Sequence, residues 1–167
     1  GNYVFCSTVG YYAPSSVAPI REDSPLSPGP RPDTILSEDI LLEMFSQRGF
    51  PATIIRPPYI YGPDDHIARR LFSIFTRLVR GREIIVPGDG LTLTHTVHVD
   101  DVASAFVAVP GKGQTLGQVY NVAGPEAITF RGYANAIASI MGVGAVISFG
   151  CSVGQGGRGG SGRCRGP

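Results

Sequence analysis

Short apolar runs separated by helix-length amphipathic segments constrain this chain most. NYVFCSTV (2–9), ATIIR (52–56), IIV (84–86), VYNVA (119–123) and AVISF (145–149) are rich in β-branched and aromatic residues. A nearly continuous apolar run suits a strand buried on both faces of a parallel sheet. Between these runs the period changes to that of helices. Asp33 is an N-cap candidate for a helix at 34–48 whose inner stripe is read as Leu36, Ile40 and Met44, and Gly49 is its stop. Asp64 or Asp65 precedes a second helix at 66–80, with Ile67, Leu71, Ile74 and Leu78 on one face and Arg69, Arg70, Arg77 and Arg80 on another. A third helix starts at Asp100 or Asp101 and runs to 108, and a fourth runs from Thr129 to 141 with Gly142 ending it. Strands alternating with helices define an α/β architecture.

Other features set limits. Residues 11–34 hold six prolines and read as one long loop. With 167 residues and 43% hydrophobic content the chain can bury a core. Its net charge of +1 demands neither a nucleic acid nor a membrane. No run of about 18 apolar residues is present, so no transmembrane helix is expected. Three cysteines, Cys6, Cys151 and Cys164, form neither a disulfide framework nor a zinc set; Cys6 reads as a buried thiol in a reducing compartment. The histidines His66, His95 and His98 match no metal-ligand spacing, and no metal is expected. From Gly150 the chain lacks apolar periodicity and is expected to be a disordered Gly-rich tail, 150–167, natural or from a shifted reading frame, after a folded part at 1–149.

The order of the motifs is informative. NYVFCSTVGYYAP, Glu22 in a proline-rich loop, SEDILLE, TIIRPPYIYGP, VPGDG, HTVHVDDVASA, VYNVAG and ITFRGYANAIASIMG follow one another. In this order they closely resemble the C-terminal part of the extended short-chain dehydrogenase/reductases, the NAD-dependent epimerase/dehydratase family. The resemblance covers about residues 2–149. It implies a partial Rossmann-like, doubly wound parallel sheet plus a small C-terminal substrate domain. It also implies that the dinucleotide-binding half, with its glycine-rich phosphate loop, belongs to a longer protein of which this chain is a fragment.

Roles carried over from the resemblance are specific to positions. Thr8 matches the hydroxyl that holds a reacting substrate oxygen, with Ser7 beside it on the cofactor side. Pro57, Pro58 and Ile60 would line the nicotinamide end, and Tyr59 and Thr94 would face substrate. Tyr59 stands where many members have asparagine, and Thr94 where sugar-nucleotide enzymes often carry a diphosphate-binding arginine. The family's tyrosine–lysine dyad maps onto Pro30 and Thr34. No tyrosine lies between Tyr12 and Tyr59, and the one lysine is Lys112. Tyr11 and Tyr12 are the tyrosines near Thr8; Tyr12 is the proton-donor candidate, but it is expected to lack a cationic neighbour and to serve packing. His98 and Asn121 are expected to be structural. The implied function is an NAD- or NADP-dependent epimerase, dehydratase or reductase relative acting on a nucleotide sugar or similar small molecule, possible as a homodimer, and cytoplasmic. The alternative is a non-catalytic member that binds RNA through the arginine face.

Overall fold

The computed structural model describes residues 1–27, 32–63 and 69–150. Of the expected tail, 150–167, Gly150 lies in a strand and the rest lies outside them, as do Pro30, Asp64, Asp65, His66 and Ile67. The chain divides into two compact units, Gly1–Pro63 with Thr96–Pro125, and Asp64–His95 with Glu126–Pro167.

In the first unit, β1 (Tyr3–Cys6), β2 (Ala52–Arg56) and β7 (Val119–Asn121) make a parallel sheet in the order β1-β2-β7. The central strand, ATIIR, is buried at every position, as its uninterrupted apolar run requires. The expectation that the first strand is buried on both faces does not hold. Among the described residues β1 pairs on one side only, Tyr3 is 48% exposed and Cys6 is also exposed.

The connection from β1 to β2 carries α1 (Pro32–Arg48). It starts two residues earlier than the capping pattern suggests, with Asp33 inside the first turn. Its inner stripe also differs from the expected one. Leu36 and Ile40 are exposed, whereas Glu38 is 1% exposed and the ring of Phe45 fills the space beside Gly117. The helix is turned so that a carboxylate, not the most apolar stripe, faces the sheet, because Arg56 waits there for a counter-ion. Gly49 ends the helix as expected, at φ 66°, with its N–H donating to the Phe45 carbonyl at 2.8 Å.

Two further parallel strands, β3 (Tyr59–Tyr61) and β6 (Thr96–His98), pair within the same unit, and α3 (Val99–Ala108) follows β6 directly. The N-cap of α3 is His98 rather than Asp100 or Asp101; its Nδ1 accepts the Asp100 N–H at 3.3 Å. The second unit holds α2 (Arg69–Val79), β4 (Ile84–Pro87), β5 (Leu93–Thr94), β8 (Ile128–Thr129), α4 (Phe130–Ile140) and β9 (Ile147–Gly150). Its core is Leu78, Ile84, Val86, Ala134, Ile137 and Ala138. Thr129 caps α4 as expected, accepting the Gly132 N–H at 2.9 Å, and Gly142 follows its end at φ 66°. Among the described residues no helix is long and apolar enough to cross a membrane.

Candidate functional site

In open parallel sheets ligands meet the loops at the carboxyl ends of the strands. Here those ends belong to β1, β2 and β7. The parallel ladder runs on past β1 and β2: Ser7 N–H donates to the Ile55 carbonyl at 2.7 Å and Val9 N–H to the Pro57 carbonyl at 3.1 Å. This places Ser7 and Thr8 beside the start of the RPPYIYGP loop.

Thr8 caps the short 3-10 turn Val9–Tyr11, its Oγ1 accepting the Gly10 N–H at 3.1 Å. Ser7 is 7% exposed, and its Oγ is buried without a hydrogen-bond partner among the described residues. A buried hydroxyl left unpaired costs roughly 1–3 kcal/mol. Pro57 is buried and Pro58 half-buried, while Ile60 lies exposed at the middle of β3. Tyr59 opens β3, opposite Thr96. Thr94 belongs to the second unit, where it pairs with Ile128. Tyr61 packs edge-on against His98, with ring centroids 5.3 Å apart.

Tyr12 has a cationic neighbour after all. Its hydroxyl accepts from Arg56 Nη1 at 2.8 Å and donates to Asn121 Oδ1 at 2.7 Å. Sequence reasoning missed this because Arg56 lies 44 residues away on β2. Arg56 is 3% exposed, and its guanidinium meets the Glu38 carboxylate through Nε, at 3.1 and 3.2 Å, and through Nη2. Burial pulls the Arg56 pKa down, but its hydrogen bonds to Glu38 and Tyr12 and the Glu38 charge outweigh this and raise it above the ordinary arginine value. Arg56 Nη1 also donates to the Glu22 carbonyl at 3.2 Å. A partial signal was present: a base closing an apolar strand needs an opposite charge, but α1 offers four acids, Asp33, Glu38, Asp39 and Glu43, and the sequence does not single out Glu38. Asn121 has more than the backbone role expected of it. It accepts from Tyr12, and its own N–H donates to Glu22 Oε1 at 2.8 Å.

Tyr12 therefore has its hydroxyl engaged as both donor and acceptor. Thr34, at the position read as the family's lysine, is half-buried in the first turn of α1, and Lys112 is exposed after α3. Ser7, Thr8, Tyr12, Pro57 and Pro58 gather at the strand ends of the first unit.

The profile of the NAD dependent epimerase/dehydratase family matches residues 1–123. The chain belongs to this family. Among curated proteins it is 35% identical over 140 residues to the chloroplast stem-loop binding protein of 41 kDa b of Arabidopsis thaliana, covering 84% of this chain and 36% of that protein. It is 26% identical over 122 residues to the human dTDP-D-glucose 4,6-dehydratase, covering 72% of this chain and 35% of that protein. A crystal structure of dTDP-glucose 4,6-dehydratase from Bacillus anthracis in complex with NAD matches with a TM-score of 0.78 and 25% identity, over 90% of this chain and 50% of that one. The UDP-glucuronic acid 4-epimerase of Bacillus cereus, in complex with UDP-glucuronic acid and NAD, matches in fold with a TM-score of 0.76 at 24% identity, over 91% of this chain and 49% of that one. The chain thus spans about a third of the length of these curated relatives (36% and 35%) and half of the solved chains (50% and 49%). The Rossmann-like class read from the sequence agrees with these neighbours.

Proposed function

We propose that the full-length protein binds a nucleotide sugar together with NAD or NADP at the carboxyl ends of β1 and β2, and does so without a tyrosine–lysine dyad. The observation that carries this reading is the buried, unpaired Ser7 hydroxyl beside Thr8. The residues present suit the nicotinamide side of such a cofactor: an orphan hydroxyl, Thr8 and the Pro58 loop at parallel strand ends. A glycine-rich phosphate cradle is not formed by any described residues. When bound, the cofactor supplies hydride chemistry; this chain supplies orientation and hydrogen bonds. Thr8 is the hydroxyl that would hold the reacting oxygen. Tyr12 organises the site through Arg56 and Asn121 and does not serve as the base. A cytoplasmic location and a homodimer belong to the same reading.

The test is titration of the full-length gene product with NAD+ and with dTDP-glucose or UDP-glucose. Ser7→Ala should weaken binding about fivefold to tenfold, the loss of one hydrogen bond. In any redox turnover Thr8→Val should cost at least about tenfold, whereas Tyr12→Phe should change the pH profile little. Unchanged binding in Ser7→Ala would sink the reading.

One observation favours a second reading. The Arabidopsis relative named for stem-loop binding is 35% identical, against 26% for the human dehydratase. On α2 and just after it, Arg80 and Arg82 are exposed, and Arg77 donates to the Glu83 carbonyl at 2.9 Å. If RNA is the ligand, Arg77→Glu with Arg80→Glu should abolish binding of a stem-loop and flatten its salt dependence.

A further inference from the structure

Residues 12–27 run from the end of the 3-10 turn to the last described residue before α1. Their two ends are pinched together. Tyr12 and Leu26 form an antiparallel bridge, Ala13 N–H donates to the Pro25 carbonyl at 2.8 Å, and Ser27 N–H to the Tyr11 carbonyl at 2.7 Å. At the far end a tight turn is closed by Ser24 N–H to the Arg21 carbonyl at 3.0 Å and by Arg21 N–H to Ser24 Oγ at 2.9 Å. That turn carries Glu22.

The turn is fastened to the ends of two strands. The Glu22 carbonyl accepts from Arg56, the last residue of β2, at 3.2 Å. The Glu22 carboxylate accepts the N–H of Asn121, the last residue of β7, at 2.8 Å. The second bond has a specific cause. Val122 N–H turns toward β2 and donates to the Arg56 carbonyl at 3.2 Å. Alternation then points the Asn121 N–H away from β2, where among the described residues no further strand pairs with β7. Asn121 Nδ2 adds a long contact to the Ile20 carbonyl at 3.5 Å.

We infer that residues 12–27 form a strap across the carboxyl ends of β2 and β7, and that Glu22 is the latch whose release opens the adjoining site at the ends of β1 and β2, which shares the end of β2 with the strap, to a nucleotide-sugar ligand. The inference rests on the ligand site proposed above. Two bonds through Glu22 tie the turn to the strand ends, beside the long Asn121 contact; the carboxylate makes the one to Asn121, and replacing the side chain removes that one and leaves the carbonyl bond to Arg56. Glu22 itself is exposed, so it can be replaced without opening the core.

The experiment compares the full-length protein with Glu22→Ala and Glu22→Gln. Amide exchange is read residue by residue, and UDP-glucose association by stopped flow. In Glu22→Ala the Asn121 amide should exchange about tenfold faster or more, as expected for loss of one charge-assisted hydrogen bond. The Ala13 and Ser27 amides should keep their protection, and association should quicken. Glu22→Gln retains an acceptor oxygen and should fall between. An unchanged Asn121 amide overturns the latch. Faster exchange with unchanged association overturns the gating role. Absence of UDP-glucose binding in all three proteins overturns the ligand site and the gating role with it, while the exchange result still decides the latch.

Discussion

Replacing Glu38 with Gln should be among the most damaging single changes in the first unit. The side chains of Glu38 and Arg56 are 2% and 4% exposed, and the carboxylate receives both Nε and Nη2 of the guanidinium. The glutamine keeps the shape but removes the counter-charge. Arg56 would retain its bonds to the Tyr12 hydroxyl and the Glu22 carbonyl, which carry no formal charge. Leaving one member of a buried pair uncompensated costs about 3–5 kcal/mol. Against a total stability of roughly 5–15 kcal/mol that is a large share. At about 2–4 °C per kcal/mol for a chain of this size, the melting temperature should fall by roughly 6–20 °C. The Arg56 pKa is raised in the fold, so its contribution is complete below the unfolded value and is lost only as pH rises through the folded one. The loss should therefore be flat between about pH 6 and 9. The assay is a double-mutant cycle in urea with Glu38→Leu, Arg56→Met and both together. The double variant should be more stable than either single one, giving a coupling of about 2 kcal/mol or more. Additive losses below about 1 kcal/mol each would refute the reasoning, because they would mean that the pair is solvated.

Two other changes test separate parts of the structure. Gly117 has φ 70°, and an added Cβ would lie 2.1 Å from Phe45 Cε1, so Gly117→Ala should cost about 2 kcal/mol or more in urea unfolding; Phe45→Leu in the same protein should recover only part of it, since the backbone strain remains. Cys6 is exposed, but partial desolvation of its sulfur raises the thiol above its ordinary value of 9.0. Its contribution to stability is present below pH 9.0 and declines as pH rises through the folded value. In a Cys151→Ser/Cys164→Ser background the thiol should react with a disulfide reagent at pH 8 more slowly than a free cysteine, and a rate equal to the free thiol would count against the burial.

The fold was legible where one requirement dominates. ATIIR gave a strand because five consecutive buried positions leave no other use for such a run. Gly49, Thr129 and Gly142 were legible because caps and left-handed turns depend on neighbouring residues alone. The orientation of α1 was not. Apolar periodicity favoured Leu36 and Ile40, but a buried guanidinium on β2 required Glu38 to turn inward, and that pairing joins residues 18 apart. The exposure of Tyr3 and Cys6 on β1 was equally hidden, since an apolar run does not reveal how much cover the strand finds. The position of Ser7 and Thr8 just after β1, beside the start of the loop after β2, follows from the order of the motifs. The cation beside Tyr12 and the bond between Glu22 and the Asn121 N–H join residues 44 and 99 apart; they depend on which strand ends the topology brings together, and no local spacing encodes that.

The most direct test of the proposed site is calorimetric titration of the full-length gene product with UDP-glucose in the presence of NAD+, for the native protein and for Ser7→Ala. The account predicts saturable binding by the native protein, weakened about fivefold to tenfold by removal of the one hydroxyl that the fold leaves unpaired. Equal binding by both proteins, or no binding of nucleotide sugar alongside tight binding of a stem-loop RNA, would contradict it.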